Sequence, residues 1–78
     1  MKQVVLIKSW EQMEKEYGLN SYGAINCKYT FTKEMKYLCN TIITIENNLI
    51  TYRSGNWSIS DDMIAEYLDI NDYPEYYI

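Results

Sequence analysis

The strongest constraint on the fold is a pair of β-branched runs in the middle of the chain. Residues 41–46 read Thr-Ile-Ile-Thr-Ile-Glu and residues 49–53 read Leu-Ile-Thr-Tyr-Arg, with Asn47 and Asn48 between them. β-Branched and aromatic residues favour strands, and asparagine tolerates the positive φ that a two-residue hairpin turn requires. The pattern therefore predicts an antiparallel hairpin whose turn is Asn47-Asn48.

Two further strands are predicted on either side of this hairpin. Residues 4–7, Val-Val-Leu-Ile, form a short apolar run that is typical of a strand. Residues 54–56, Ser-Gly-Asn, have the composition of a turn, and residues 57–59 are expected to form a strand after it. We expect Trp57, at the start of that strand, to be buried.

One helix is marked at both of its ends. Ser9 followed by Gln12 forms a capping box, and Gly18 stands where a glycine commonly ends a helix. Residues 10–17 are therefore predicted to form a helix of about two turns. Its apolar side chains recur at helical spacing and are expected to face the core. They are Trp10, Met13 and Tyr17.

Two more helices are predicted from single capping residues. Thr32 is expected to cap residues 33–39, and Ser60 is expected to cap residues 61–68. The two aspartates in the first turn of the second helix would be favoured by the helix dipole. The inward side chains of that helix would be Met63, Ile64, Tyr67 and Leu68.

These elements predict an α+β fold in one small domain that spans residues 1–78. Short antiparallel strands form a small sheet, which either closes into an SH3-like barrel or stays open with short helices on one face. Residues 68–78 form an acidic, tyrosine-rich tail that is either docked on the domain or loose.

The composition argues against an enzyme, a cofactor or a metal site. The chain has no histidine, which is the commonest general base and metal ligand, and its three glycines form no phosphate-binding loop. Residues 69–72 have the opening spacing of a calcium loop but lack its glycine and distal glutamate. Asp61, Asp62 and Glu66 resemble a Mg²⁺ site, yet a capped helix N-terminus accounts for them. We therefore predict no catalytic, cofactor-binding or metal-binding residues.

Cysteine usage and hydropathy favour a cytoplasmic protein. Cys27 and Cys39 are too few for a disulfide scaffold, and we expect both to be reduced. No apolar run approaches the roughly 20 residues of a membrane-spanning helix, and the start of the chain does not have the pattern of a signal peptide. The net charge of −4 disfavours direct nucleic-acid binding, because phosphate contacts need clustered lysine or arginine.

Charge is divided unevenly along the chain. Residues 1–53 hold all seven basic residues and five acidic ones, whereas residues 54–78 hold six acidic residues and no basic one. A single-sign segment with interleaved aromatics can create a negative field and dock its rings on a partner, although a solvated segment with a frayed end is the alternative. The residues that we predict to bind a partner are named the acidic surface. They are Asp61, Asp62, Glu66, Asp69, Asp72, Glu75, Tyr73, Tyr76 and Tyr77.

Three stretches carry a resemblance that spans most of residues 5–65. They are residues 7–14 (Ile-Lys-Ser-Trp-Glu-Gln-Met-Glu), 31–35 (Phe-Thr-Lys-Glu-Met) with Leu38-Cys39, and 57–60 (Trp-Ser-Ile-Ser) with Met63-Ile64. This pattern resembles small uncharacterised proteins of phages and prophages of low-GC Gram-positive bacteria, and it implies no catalytic residue. By size and charge the chain also resembles small acidic anti-CRISPR inhibitors, some of which mimic DNA.

Two function classes follow from these observations. The first is a phage-encoded inhibitor in the host cytoplasm whose acidic surface occupies the nucleic-acid site of a host defence nuclease, such as a CRISPR effector. The second is an SH3-like structural or adaptor module that binds another protein through a surface centred on Trp57 and Tyr52. Ionic strength distinguishes the two classes, because charge-driven association slows with salt, whereas binding in an apolar groove hardly responds.

Overall fold

The computed structural model describes residues 2–47, 52–54 and 57–76, with the backbone alone at residues 47, 52–54 and 76. The regular elements in these ranges are β1 (Lys2–Ile7), α1 (Trp10–Tyr17), β2 (Ile42–Asn47), β3 (Tyr52–Ser54), β4 (Trp57–Ile59) and β5 (Ile64–Leu68). Short 3₁₀ helices occupy Lys33–Leu38, Asp61–Met63, Ile70–Asp72 and Pro74–Tyr76.

The strands form one antiparallel sheet in the order β4-β3-β2-β1-β5. The α+β class is confirmed, but the SH3-like barrel is wrong. Within the described ranges, β4 and β5 each pair with one neighbour and not with each other, so the sheet is open. Two strands of three residues are short for the long, tilted ladders that barrel closure requires. In the described part of the chain, no helix has the length and apolar character needed to cross a bilayer.

The hydrophobic core lies on one face of the sheet. Val5 and Ile7 of β1 point to this face, where both are 1% exposed or less. Ile45 of β2 lies opposite Gln3, two residues before Val5, so it shares the face of Val5, and Met13 of α1 packs in the same cluster. The buried cluster consists of Val5, Ile7, Met13, Ile25, Cys27, Phe31, Met35, Leu38, Ile45, Ile59, Met63 and Ile64.

The predicted helix over residues 10–17 is confirmed together with both caps. Ser9 Oγ accepts a hydrogen bond from the Gln12 N–H at 3.1 Å. Gly18 has a φ of +75° and donates its N–H to the Glu14 carbonyl at 2.8 Å, which ends the helix. Met13 is fully buried, and the two aromatic residues of the same face pack half-buried against the core.

The segment after Thr32 is a 3₁₀ helix, shorter than the predicted helix over residues 33–39. Thr32 makes no side-chain cap, and its Oγ1 is buried without a hydrogen-bond partner among the described residues. Met35 and Leu38 are buried as predicted. Asn40 follows in the left-handed region at φ +62° and redirects the chain toward β2.

The predicted Asn47-Asn48 turn is wrong. A two-residue turn would place Glu46 opposite the residue after the asparagines, whereas the observed register places Glu46 opposite Arg53. Asn47 belongs to β2, and residues 48–51, which carry most of the second predicted run, lie outside the described ranges. β2 pairs with β1 from Ile42 to Glu46, and this longer ladder sets which side chains face the core.

The predicted Ser60-capped helix over residues 61–68 is also wrong. Asp61–Met63 form one 3₁₀ turn, and Ile64–Leu68 form β5. Val4 and Val5 on β1 are both fully buried, so the backbone groups on the free side of β1 need partners that water cannot supply. β5 provides them, and this pairing overrides the local preference for a helix.

The pairing of β5 with β1 contains a β-bulge. Leu6 lies opposite Glu66, whereas the next residue, Ile7, lies opposite Ile64. Ala65 is therefore an extra residue in β5, which bends the strand and increases its local twist.

The structure corrects the expectation that Trp57 is buried, because the residue is only partly covered. Its ring packs against the edge of the core, and its Nε1–H donates to the Tyr37 hydroxyl at 2.8 Å. We expect Trp57→Ala to lower the free energy of unfolding by about 2 kcal/mol, below the roughly 3–5 kcal/mol for a fully buried aromatic. Urea unfolding measures the loss. The control Tyr37→Phe should cost under about 1 kcal/mol, and equal losses in the two variants would contradict the packing argument.

Both cysteines are free thiols, as expected. Cys27 is buried, and burial, together with the charge of Asp62, raises the pKa of its thiol to about 12. Burial also raises the pKa of Cys39. Because the thiolate is the reactive form, we expect Cys27 at pH 8 to react with a disulfide reagent at least about 100-fold more slowly in the native protein than in urea. Equal rates in the two conditions would contradict this placement.

Candidate protein-binding surface

Five of the six carboxylates in the acidic surface are exposed. They lie along the β5 side of the sheet, on the 3₁₀ turn before β5, on β5 itself, and in the tail that follows. The exposed ones are Asp61, Glu66, Asp69, Asp72 and Glu75.

Asp62 has a structural role in this region. It is half-buried, its Oδ2 accepts a hydrogen bond from the Lys28 N–H at 2.8 Å, and its Oδ1 accepts one from the Ser60 hydroxyl. One carboxylate thus ties the 3₁₀ turn to a loop 34 residues away along the chain. It was predicted to contact the partner because residues 54–78 are acidic throughout, and that count does not distinguish a carboxylate with internal hydrogen bonds from an exposed one.

Tyr67 is hydrogen-bonded to Asp61 and lies beside the acidic surface, although it was not predicted to be part of that surface. Its side chain is 50% exposed, and its hydroxyl donates a hydrogen bond to Asp61 Oδ1. The helical interpretation placed Tyr67 on an inward face. The strand instead pairs it with Val5 at the margin of the core, where its ring reaches solvent. Residues 64–68, Ile-Ala-Glu-Tyr-Leu, show no alternation of polar and apolar residues, so the local sequence held no signal of this strand.

The strand also separates carboxylates that a helix would have grouped. Successive side chains in a strand point to opposite faces, so Glu66 projects on the side away from Tyr67. Glu66 lies opposite Leu6 and is exposed. The acidic surface therefore wraps around the β5 edge and does not form one flat face.

The tail continues from β5 in two short turns. Asp69 Oδ1 accepts a hydrogen bond from the Asn71 N–H at 2.9 Å, which caps the 3₁₀ helix Ile70–Asp72. Pro74–Tyr76 form a further 3₁₀ turn. Tyr73 is half-buried. The side chain of Tyr76 and all of Tyr77 lie outside the described part.

Hydrogen bonds within the protein account for the two groupings that resemble metal sites. Asp69 serves as a turn cap, and Asp61 and Asp62 accept hydrogen bonds from protein donors. Among the described residues, no three acidic or cysteine side chains stand together as a metal ion would require.

A second exposed region surrounds Trp57, on which the adaptor hypothesis depends. Tyr37, which accepts the Trp57 indole hydrogen bond, is 67% exposed. Next to it, Lys36 Nζ lies 5.0 Å from the centroid of the Trp10 ring, a cation–π contact. The side chain of Tyr52 lies outside the described part.

Comparison with known proteins adds no relative. No protein-family model matches the chain, and neither the curated proteins nor the solved structures contain a significant match.

Proposed function

We propose that this protein is a non-enzymatic inhibitor whose acidic surface occupies a positively charged nucleic-acid site on a partner protein. In line with the resemblance to phage proteins, the partner is a host defence nuclease of the CRISPR effector type, met in the host cytoplasm. One observation carries the proposal: exposed carboxylates follow the β5 edge and the tail in a segment that has no lysine or arginine.

Electrostatics gives this arrangement its effect. Exposed carboxylates distributed around one edge add their potentials over a Debye length of about 8 Å, so they need not share a face to attract a basic groove. Such steering raises the association rate, whereas the lifetime of a complex depends on buried contacts. Among the aromatic side chains near the carboxylates, Tyr67 is the one held half-exposed by a hydrogen bond to Asp61.

We expect neutralisation of Asp69, Asp72 and Glu75 to slow association with the nuclease by about tenfold or more at low salt. The variant Asp69→Asn/Asp72→Asn/Glu75→Gln keeps hydrogen-bond acceptors at these positions. The measurement is the association rate at several salt concentrations, together with displacement of labelled DNA from a purified CRISPR effector nuclease.

The matched control removes the same number of charges elsewhere, in Glu11→Gln/Glu14→Gln/Glu34→Gln. This control should retain most of the association rate and the salt dependence of the parent. If the tail variant inhibits with the potency and salt dependence of the parent, the carboxylates are solvated groups that take no part in binding, and the inhibitor proposal is wrong.

The adaptor alternative has one supporting observation, the exposed Tyr37 beside the partly covered Trp57. It requires a binding partner whose affinity falls in Tyr37→Ala and hardly changes with salt. The two functions are thus separated by one pair of variants and one salt series.

A further inference from the structure

Val4 is fully buried on the face of the sheet that the main core does not cover. Val4 and Val5 are adjacent in β1, so their side chains point to opposite faces. Val5 belongs to the core cluster and Val4 does not, yet both are 0% exposed. The lateral neighbours of Val4 in the sheet are Thr44 and Leu68. Residues on the two adjacent strands cover a side chain only laterally and leave its tip open to solvent. A further segment must therefore lie over Val4.

The tail begins beside Val4. Leu68, the residue opposite Val4, is the last residue of β5, and the chain turns immediately after it. Gln3 Nε2 donates to the Leu68 carbonyl at 2.8 Å, which fixes the point of departure. Ile70 and Tyr73 are half-buried, although they belong to no strand and lie outside the main core cluster.

We infer that residues 69–73 form a strap across this second face, with Ile70 and Tyr73 packed over Val4. The helix α1 and the 3₁₀ helix Lys33–Leu38 supply Met13, Met35 and Leu38 to the opposite face of the sheet, so these two elements do not cover Val4. The Asp69–Asn71 capping bond gives the strap its turn, and it returns Ile70 toward the sheet. In this arrangement the tail is docked, which is one of the two states that the sequence predicts.

The strap assigns a different role to Tyr73. In the acidic surface Tyr73 was predicted to contact the partner, whereas a half-buried ring over Val4 positions its neighbours. Asp72 and Glu75, on either side, are exposed. This step rests on the proposed function: the strap presents these two carboxylates in one orientation, so that less conformational freedom is lost on binding.

The direct test is a nuclear Overhauser measurement on the full-length parent protein without any partner. Cross-peaks between the Val4 methyl groups and the Tyr73 ring or Ile70 methyl protons are expected. Their absence, with Val4 still protected from solvent, overturns the strap whatever the protein binds.

Variants then test the positioning role. Tyr73→Ala should speed amide exchange at residues 69–73 by about tenfold or more, because a strap held by few apolar contacts opens locally. Tyr73→Phe should restore the parent exchange rates, and Tyr22→Ala, at a tyrosine that is 87% exposed, should leave them unchanged. Exchange in Tyr73→Ala equal to that of the parent contradicts the strap.

Binding to the nuclease separates this inference from the proposed function. If the cross-peaks are present but the neutralised tail variant binds like the parent, the strap stands and the inhibitor proposal fails. If the cross-peaks are absent while that variant loses binding, the inhibitor proposal stands and the strap fails. Tyr73→Ala should weaken binding and Tyr73→Phe should restore it; loss in both variants would make the ring hydroxyl a partner contact and remove the positioning role.

Discussion

Phe31→Ala is expected to remove most of the free energy of unfolding at room temperature. Among the described residues, Phe31 is the largest fully buried side chain, and the centroid of its ring lies 6.1 Å from that of Trp10 at an interplanar angle of 57°. Removing such a ring costs about 3–5 kcal/mol. Small domains have total stabilities near the lower end of the roughly 5–15 kcal/mol range, so little margin remains.

The backbone at Phe31 makes this loss hard to absorb. Phe31 and Ile25 exchange two backbone hydrogen bonds, at 2.9 and 3.0 Å, which close the loop between them. A chain fixed in this way cannot move to fill the cavity that the ring leaves. Circular dichroism during urea unfolding measures the effect, with Tyr22→Ala as the exposed control, expected within about 0.5 kcal/mol of the parent. A Phe31→Ala midpoint equal to that of the control would refute the assignment of the core.

The second large effect is expected at Asp62. Asp62→Ala removes the acceptor of the Lys28 N–H and of the Ser60 hydroxyl, and Ser60 itself is 4% exposed. The Ser60 hydroxyl lies in a covered region, where a donor left without a partner costs about 1–3 kcal/mol. The Lys28 N–H is exposed and can bond water instead, so losing its bond costs about 0.5–1.5 kcal/mol, and we expect a loss of about 2–4 kcal/mol from the two together. Urea unfolding measures it.

The conservative variant separates the charge of Asp62 from its acceptor role. Asp62→Asn keeps one carbonyl oxygen that can accept from Lys28, and it should recover at least half of the stability lost in Asp62→Ala. Asp61→Asn removes the same charge from the neighbouring exposed residue and should leave stability within about 1 kcal/mol of the parent. If Asp61→Asn and Asp62→Ala are equally destabilising, the hydrogen bond between the Lys28 N–H and Asp62 contributes nothing to the free energy of unfolding.

The sequence predicted elements whose signals are local. The Ser9 cap and Gly18 define α1 through hydrogen bonds that involve residues within four positions of each other. The strand at residues 4–7 was likewise found from a short apolar run, and the strand at 57–59 from the turn that precedes it. In these places the local preference and the final fold agree, which is the condition under which sequence reading succeeds.

The elements that were missed depend on contacts between distant residues. Asp61 to Leu68 has both a cap and a helical pattern, and only the unsatisfied side of β1, about sixty residues earlier in the chain, turns most of it into a strand. The same error affected the candidate site, because the predicted helix placed Tyr67 on an inward face. The acidic character of residues 61–68 was therefore predicted correctly, but the directions of the side chains were not, because the segment is mostly a strand and not a helix.

The bulge at Ala65 has a consequence for behaviour at high concentration. Open sheets are prone to grow by edge-to-edge pairing between molecules, and long, flat, uncharged edges are the most vulnerable. Here one edge is bent by an extra residue and carries exposed Glu66, while β4, the other edge, has only three residues in the described part. In the part of the chain that the structure describes, neither edge offers a long template to a second molecule, which lowers the tendency of an open sheet to pair edge to edge.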